Sequence, residues 1–186
     1  MSKLLNCISA AELRQRLESR EQKTVEDLPG VYRWWFPKAE AEKLLEKFTT
    51  PMQKEDRTLQ EWEHGGITYQ ALYFGMSSNL RRRIRWHIRG PFKSSTLRRT
   101  LRAVMASDTD GKSAEKAVNQ LIDTCLWEWE YTKDTNEAKV REEKELSHDL
   151  YAYPLNISEN KTMTSEWITE LRNLRKKIEI ARRYDR

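Results

Sequence analysis

The spacing of apolar residues along the chain changes period several times, and each change marks an element. Leu13 and Leu17 lie four apart and predict a helix over residues 9–21. At its start Ser9 and Glu12 have capping-box spacing, and Ile8 with Leu13 has staple spacing. Residues 28–36, dense in Val31, Tyr32, Trp34, Trp35 and Phe36, read as a strand that Pro37 ends. Leu44, Leu45 and Phe48 share one side of a short helix over 38–48. Residues 49–65 are polar and finish in a Gly65-Gly66 turn. Ile67, Tyr69, Ala71 and Tyr73 then alternate, which predicts a second strand over 67–74 and a tight turn at Gly75.

Asn79 is placed to cap a helix over 80–89 that Gly90-Pro91 stops. Ser94 or Ser95 can cap the next helix, over 96–107, whose stripe is Leu97, Leu101, Val104 and Met105. A short helix is expected over 114–122. Trp127, Trp129 and Tyr131 alternate with Glu128 and Glu130, the pattern of a half-buried third strand. A strongly charged helix over 137–150 is expected to begin after Asn136. The last helix, over 165–186, carries Trp167, Leu171, Leu174 and Ile178 at helical spacing.

The chain has 186 residues, enough for one domain with decorations, and 38% hydrophobic against 34% charged content predicts a soluble globular protein. It has no run of eighteen apolar residues, and the start MSKLLNCISA is too polar for a signal peptide, so no membrane association is expected. Cys7 and Cys125 have neither metal nor redox spacing, which fits a reduced, cytoplasmic protein. Charge sharpens this picture. The formal net charge is +5, yet residues 81–102 hold nine Lys or Arg and no acid, while the rest holds 25 basic and 29 acidic groups. A basic patch on an otherwise slightly acidic chain points to a polyanion.

Within that patch Arg83 and His87 lie four residues apart, so a helix puts them on one face. A fixed cation beside a group that titrates near neutral pH suits phosphodiester chemistry. The segment Tyr73-Phe74-Gly75-Met76-Ser77-Ser78-Asn79-Leu80-Arg81-Arg82-Arg83, with Gly30-Val31-Tyr32 upstream, resembles the GIY-YIG nuclease superfamily. The two tripeptides stand where that family has its own, and Arg83, eight residues after Gly75, falls on its catalytic position. The third strand, the charged helix and Pro154-Leu155-Asn156 are also similar to the family's last strand, metal-binding helix and closing motif. Tyr32 and Tyr73 are 41 residues apart, so residues 37–65 read as an insertion into the first hairpin.

The resemblance implies an α/β (α+β) fold, with a small antiparallel three-stranded sheet flanked by helices. Around it the chain divides into an N-terminal helical extension over 1–27, the nuclease domain over 28–157 and a C-terminal basic helix over 158–186. The function implied is metal-dependent hydrolysis of DNA phosphodiester bonds by an endonuclease using Mg²⁺ or Mn²⁺. Tyr32, Tyr73, Arg83 and His87 are the candidate catalytic residues. The metal would sit on Glu142 if Ala138 and Leu146 set the helix register, or on Glu143 if Val140, Leu146 and Leu150 set it; Glu145 is a third choice. Arg81, Arg82, Arg85, Arg98, Arg99, Arg102 and Asn156 are candidate nucleic-acid contacts, and Lys176, Lys177, Arg182 and Arg183 could extend that surface. Met76 stands where the similar repair enzymes have lysine, which steers the reading to the restriction- or homing-like branch rather than excision repair. Cutting both strands with one site per chain would call for a homodimer. The alternative function is a catalytically inactive GIY-YIG-like module that binds nucleic acid or a protein.

Overall fold

The computed structural model describes residues 4–19, 24–52, 57–105 and 111–184, with 111–112 and 178–184 described by backbone alone. The strands are β1 (Asn6–Ser9), β2 (Gly30–Pro37), β3 (Glu61–His64), β4 (Ile67–Ser77) and β5 (Leu126–Tyr131). The helices are α1 (Ala10–Ser19), α2 (Lys38–Leu45), α3 (Leu80–Ile88), α4 (Thr96–Met105), α5 (Gly111–Asp123), α6 (Thr135–Glu145) and α7 (Ser165–Tyr184). All strand pairs are antiparallel, in the order β1-β5-β2-β4-β3.

The sheet therefore has five strands, not the three expected. The expected three form its centre, β5-β2-β4, and one strand is added at each edge. Both additions are four residues long, and β3 reads EWEH, with Glu61 and Glu63 exposed. An edge strand buries little, so its sequence shows no apolar run, and short charged edges resist further pairing. Gly65 and Gly66 join β3 to β4 with φ of 59° and 78°, the two left-handed residues of a tight hairpin. The insertion over 37–65 thus supplies a strand, and the segment over 1–27 supplies another.

Central β2 is buried on both faces. On one side Tyr32, Trp34 and Phe36 join a core built with α1 to α5 and Leu171 of α7. On the other, Val31 and Trp35 pack with Phe74, Tyr153 and, from α6 and its end, Ala138 and Leu146. Ser9 Oγ accepts the Glu12 amide, as its capping spacing requires. Strand β4 runs through Gly75 to Ser77, so the turn expected at Gly75 is not there. Helix α6 is capped by Asp134, two residues earlier than Asn136 implied, and ends at Glu145 rather than 150.

Candidate active site

Two glycines shape the site by leaving room. Gly75 lies opposite Tyr32 across the β2–β4 ladder. A Cβ at Gly75 would sit 2.6 Å from the Tyr32 hydroxyl, and one at Gly30 would sit 2.3 Å from the Glu130 carbonyl. With no Cβ at Gly75, the hydroxyl end of Tyr32 fits against β4, and its ring stacks beside Tyr73, centroids 6.3 Å apart.

Helix α3 brings the arginine and histidine to these rings. Asn79 Oδ1 accepts the Arg82 amide at 2.7 Å and caps it. Leu80, Ile84 and Ile88 bury its inner face. His87, one turn beyond Arg83, is fully buried. Its Nε2 lies 2.9 Å from the Tyr32 hydroxyl and its Nδ1 lies 2.7 Å from Ser95 Oγ. Ser95 Oγ also accepts the Arg98 amide at 3.1 Å, so this serine caps α4 and holds the imidazole at once.

Burial, reinforced by the charges of Arg83 and Arg98, pushes the His87 pKa well below its ordinary 6.5, so the ring is neutral. Burial raises Tyr32 well above its ordinary 10.0, helped by neighbouring Tyr73 and opposed by Arg83. Tyr73 is raised as well, first by burial and then by the charge of Glu142, with Arg83 opposing. Glu142, on α6, accepts the Met76 amide at 3.0 Å. Burial lifts its carboxyl above the ordinary 4.5, and the Met76 hydrogen bond and Arg83 oppose that rise. The charge of Arg83 therefore acts on both tyrosines, the histidine and the glutamate. Its own guanidinium has no hydrogen bond or ion pair among the described residues, and its Nε is buried without an acceptor.

The family model of the GIY-YIG catalytic domain matches residues 30–177. The chain belongs to the GIY-YIG catalytic domain family. This is a nuclease family. The match runs past residue 157 through most of α7. Neither the comparison with curated proteins nor that with solved structures finds a match. Among the described residues no helix is long and apolar enough to cross a membrane.

The GIY-YIG site gathers only some of the residues its sequence suggests. Ala138 and Leu146 are buried, while Val140 and Leu150 are 63% and 59% exposed, so α6 takes the register that turns Glu142 inward. Glu143 is exposed beside Lys139 at 3.7 Å. Glu145 is committed elsewhere: it accepts from Arg33 at 3.0 Å and from the Tyr153 hydroxyl.

The basic residues divide by depth. Arg82 and Arg85 are exposed, and Arg81 is ion-paired with Asp27 at 3.2 Å. Arg98 is fully buried and donates to the His87 and Ile88 carbonyls, each at 3.2 Å, satisfying the end of α3. Arg102 is buried with its guanidinium over Phe92, 4.8 Å from the ring centre, and Arg99 is half-buried. Arg98 and Arg102 therefore offer no open face to a phosphate. Asn156 is also committed: its side chain accepts the Phe74 amide at 2.9 Å and donates to the Phe74 carbonyl at 2.6 Å, which pins the closing motif to β4. Lys176 and Lys177 are exposed on α7, and the side chains of Arg182 and Arg183 lie outside the described residues.

Two residues near the site escaped the sequence reading. Ser95 was legible only as a cap, although its place just after Gly90-Pro91 folds α4 back onto His87. Arg175 of α7 sits where its charge lowers Tyr73. It falls one turn after Leu171, which shares a core cluster with Tyr73, and that spacing was its only signal.

Proposed function

We propose that this chain is a restriction- or homing-like DNA endonuclease that hydrolyses phosphodiester bonds with Mg²⁺ or Mn²⁺. The observation that carries this reading is Arg83, a cation with no carboxylate bonded to it, set among Glu142, Tyr73, Tyr32 and His87. An unpaired guanidinium fork suits phosphate oxygens, which it can grip in bidentate fashion. Met76, standing where the similar repair enzymes have lysine, supports the restriction- or homing-like branch.

The donor set fits a hard cation. No group of three or more His, Cys, Asp or Glu is gathered among the described residues, so a closed all-protein cage is not what the site offers. One carboxylate suits Mg²⁺, which keeps several waters and takes the remaining oxygens from its substrate. Glu142 is that carboxylate: one oxygen holds the Met76 amide and the other has no partner among the described residues. A bound divalent ion would neutralise charge on the phosphate and make its water more acidic.

The protein's own groups do the rest. Arg83 binds the phosphate and stabilises the negative charge that gathers as water attacks in line and the opposite P–O bond breaks, the leaving oxygen taking a proton from solvent water. The tyrosine pair orients that water. The Tyr32 hydroxyl lies 2.9 Å from His87 Nε2, so the water's proton can pass to the Tyr32 oxygen while the tyrosine proton passes on to His87 Nε2. His87 is neutral at rest and takes that proton only transiently, in the tautomer that leaves Nε2 bare, while Ser95 holds the ring in place. Arg82 and Arg85 on the outer face of α3 would contact flanking phosphates. Cutting both strands with one such site per chain would take a homodimer.

Supercoiled plasmid with Mg²⁺ or Mn²⁺, and with EDTA as control, tests the reading. Wild type is expected to nick or linearise it, and Arg83→Ala to lose about 100- to 1,000-fold in rate, the usual cost of one transition-state donor. Salt-sensitive DNA binding without cleavage would favour the inactive binding module, and neither binding nor cleavage would remove the nucleic-acid reading.

A further inference from the structure

Trp86 is the one apolar residue of α3 that the hydrophobic clusters of the described residues leave out. It is half-buried. Its ring instead carries two guanidiniums: Arg82 Cζ lies 5.3 Å and Arg83 Cζ 5.5 Å from the centroid. The two arginines precede it by four and three residues, the spacing at which helical side chains meet. Arg81 on the same helix is tied to Asp27 and buried Arg98 to backbone carbonyls. Arg83 has neither kind of tie among the described residues, and its Nε is buried with no acceptor. A long side chain left without a partner loses order, and ordering it on substrate costs rotamer entropy. A carboxylate would hold Arg83 but would also compete with phosphate. An aromatic face attracts the guanidinium without neutralising it or occupying its donors.

We propose that Trp86 is a positioning residue for Arg83: its ring holds the guanidinium in the site before substrate arrives, with the donor fork open. The catalytic consequence rests on the nuclease reading, but the ordering of Arg83 does not, and the two can be read separately.

The test compares Trp86→Leu with Trp86→Tyr by ¹H–¹⁵N correlation of the arginine Nε–Hε groups, the Arg83 signal being assigned by its loss in Arg83→Lys. In wild type the Arg83 Hε signal is expected to be ring-current shifted. Trp86→Leu should collapse it to the position of a free arginine, and Trp86→Tyr should keep it shifted. The melting temperature should stay near wild type, because Trp86 lies outside the core. In cleavage, Trp86→Leu should lower kcat about tenfold, or about 1.4 kcal/mol, with KM little changed, and Trp86→Tyr should restore most of it. An unmoved Arg83 signal in Trp86→Leu overturns the proposal. So does a cleavage defect confined to KM, which would mean that the ring touches DNA itself. A wild type that cleaves nothing would sink the nuclease reading, while the arginine signal still decides the role of Trp86.

Discussion

Tyr32 and Arg33 are neighbours on β2 and point to opposite faces of the sheet, and the two faces treat buried charge in opposite ways. Behind Arg33 the buried cation is held between two carboxylates. Arg33, 3% exposed, donates to Glu128 at 3.1 Å and to Glu145 at 3.0 Å. Glu128 also accepts from the Trp35 indole at 2.9 Å and the Leu4 amide at 3.0 Å, and Glu145 from the Tyr153 hydroxyl. In front, Arg83 has no ion pair or hydrogen bond among the described residues, and the nearby Glu142 carboxylate bonds only the Met76 amide there. A matched buried network holds elements together, whereas an unmatched cation beside shifted groups is the signature of a ligand site. The two faces are joined through α6. Glu145 ties that helix to Arg33, and Glu142, about one turn earlier, ties it to the Met76 amide of β4.

Breaking the matched face should have the largest effect on stability. Arg33→Met would leave Glu128 buried without its cation and is expected to cost about 3–5 kcal/mol. Thermal and denaturant melts would show it, and adding Glu128→Leu should return much of the loss. If Arg33→Met is neutral, the network is not what secures α6.

The front face should show itself next through pH. An unfolded chain protonates its histidine near 6.5, but folded His87 resists until well below that value. Between the two values the unfolded chain binds the extra proton, so stability falls on acidification, by up to about 1.4 kcal/mol per pH unit. Glu142 and Glu128, both raised by burial, act in the opposite sense, since their folded forms take up protons first. The informative quantity is therefore the difference between wild type and His87→Gln. The variant's stability is expected to vary less steeply below pH 6.5, and parallel curves would place the His87 charge outside the account.

The smallest effects belong to the surface of α3. Arg82→Ala or Arg85→Ala should weaken DNA binding evenly across sequences and reduce the slope of log affinity against log salt by about one. Arg98→Ala should instead lower the melting temperature, because its guanidinium satisfies the end of α3.

Much of this was legible in the chain, for local reasons. The caps at Ser9 and Asn79, the three central strands and the shared face of Arg83 and His87 depend on spacing alone. What the sequence hid depended on depth or on partners far away. Edge strands β1 and β3 bury too little to leave an apolar pattern. Gly75 looks like a turn, but a glycine within a strand also marks close approach, here by the Tyr32 ring. The glutamate register was ambiguous because both choices used Leu146, and only the exposure of Val140 and Leu150 separates them. Arg98 and Arg102 counted as surface charge, yet arginine stems bury readily when carbonyls or a ring receive the head group.

In the proposed nuclease, Glu142 rather than Glu143 completes one metal-dependent site with Arg83 and the Tyr32–His87 pair. The most direct test is Mg²⁺ titration of plasmid cleavage by wild type, Glu142→Gln and Glu143→Gln side by side. The account predicts that Glu142→Gln loses cleavage at every metal concentration while keeping its fold, and that Glu143→Gln titrates like wild type. Cleavage that survives in Glu142→Gln and disappears in Glu143→Gln would contradict it.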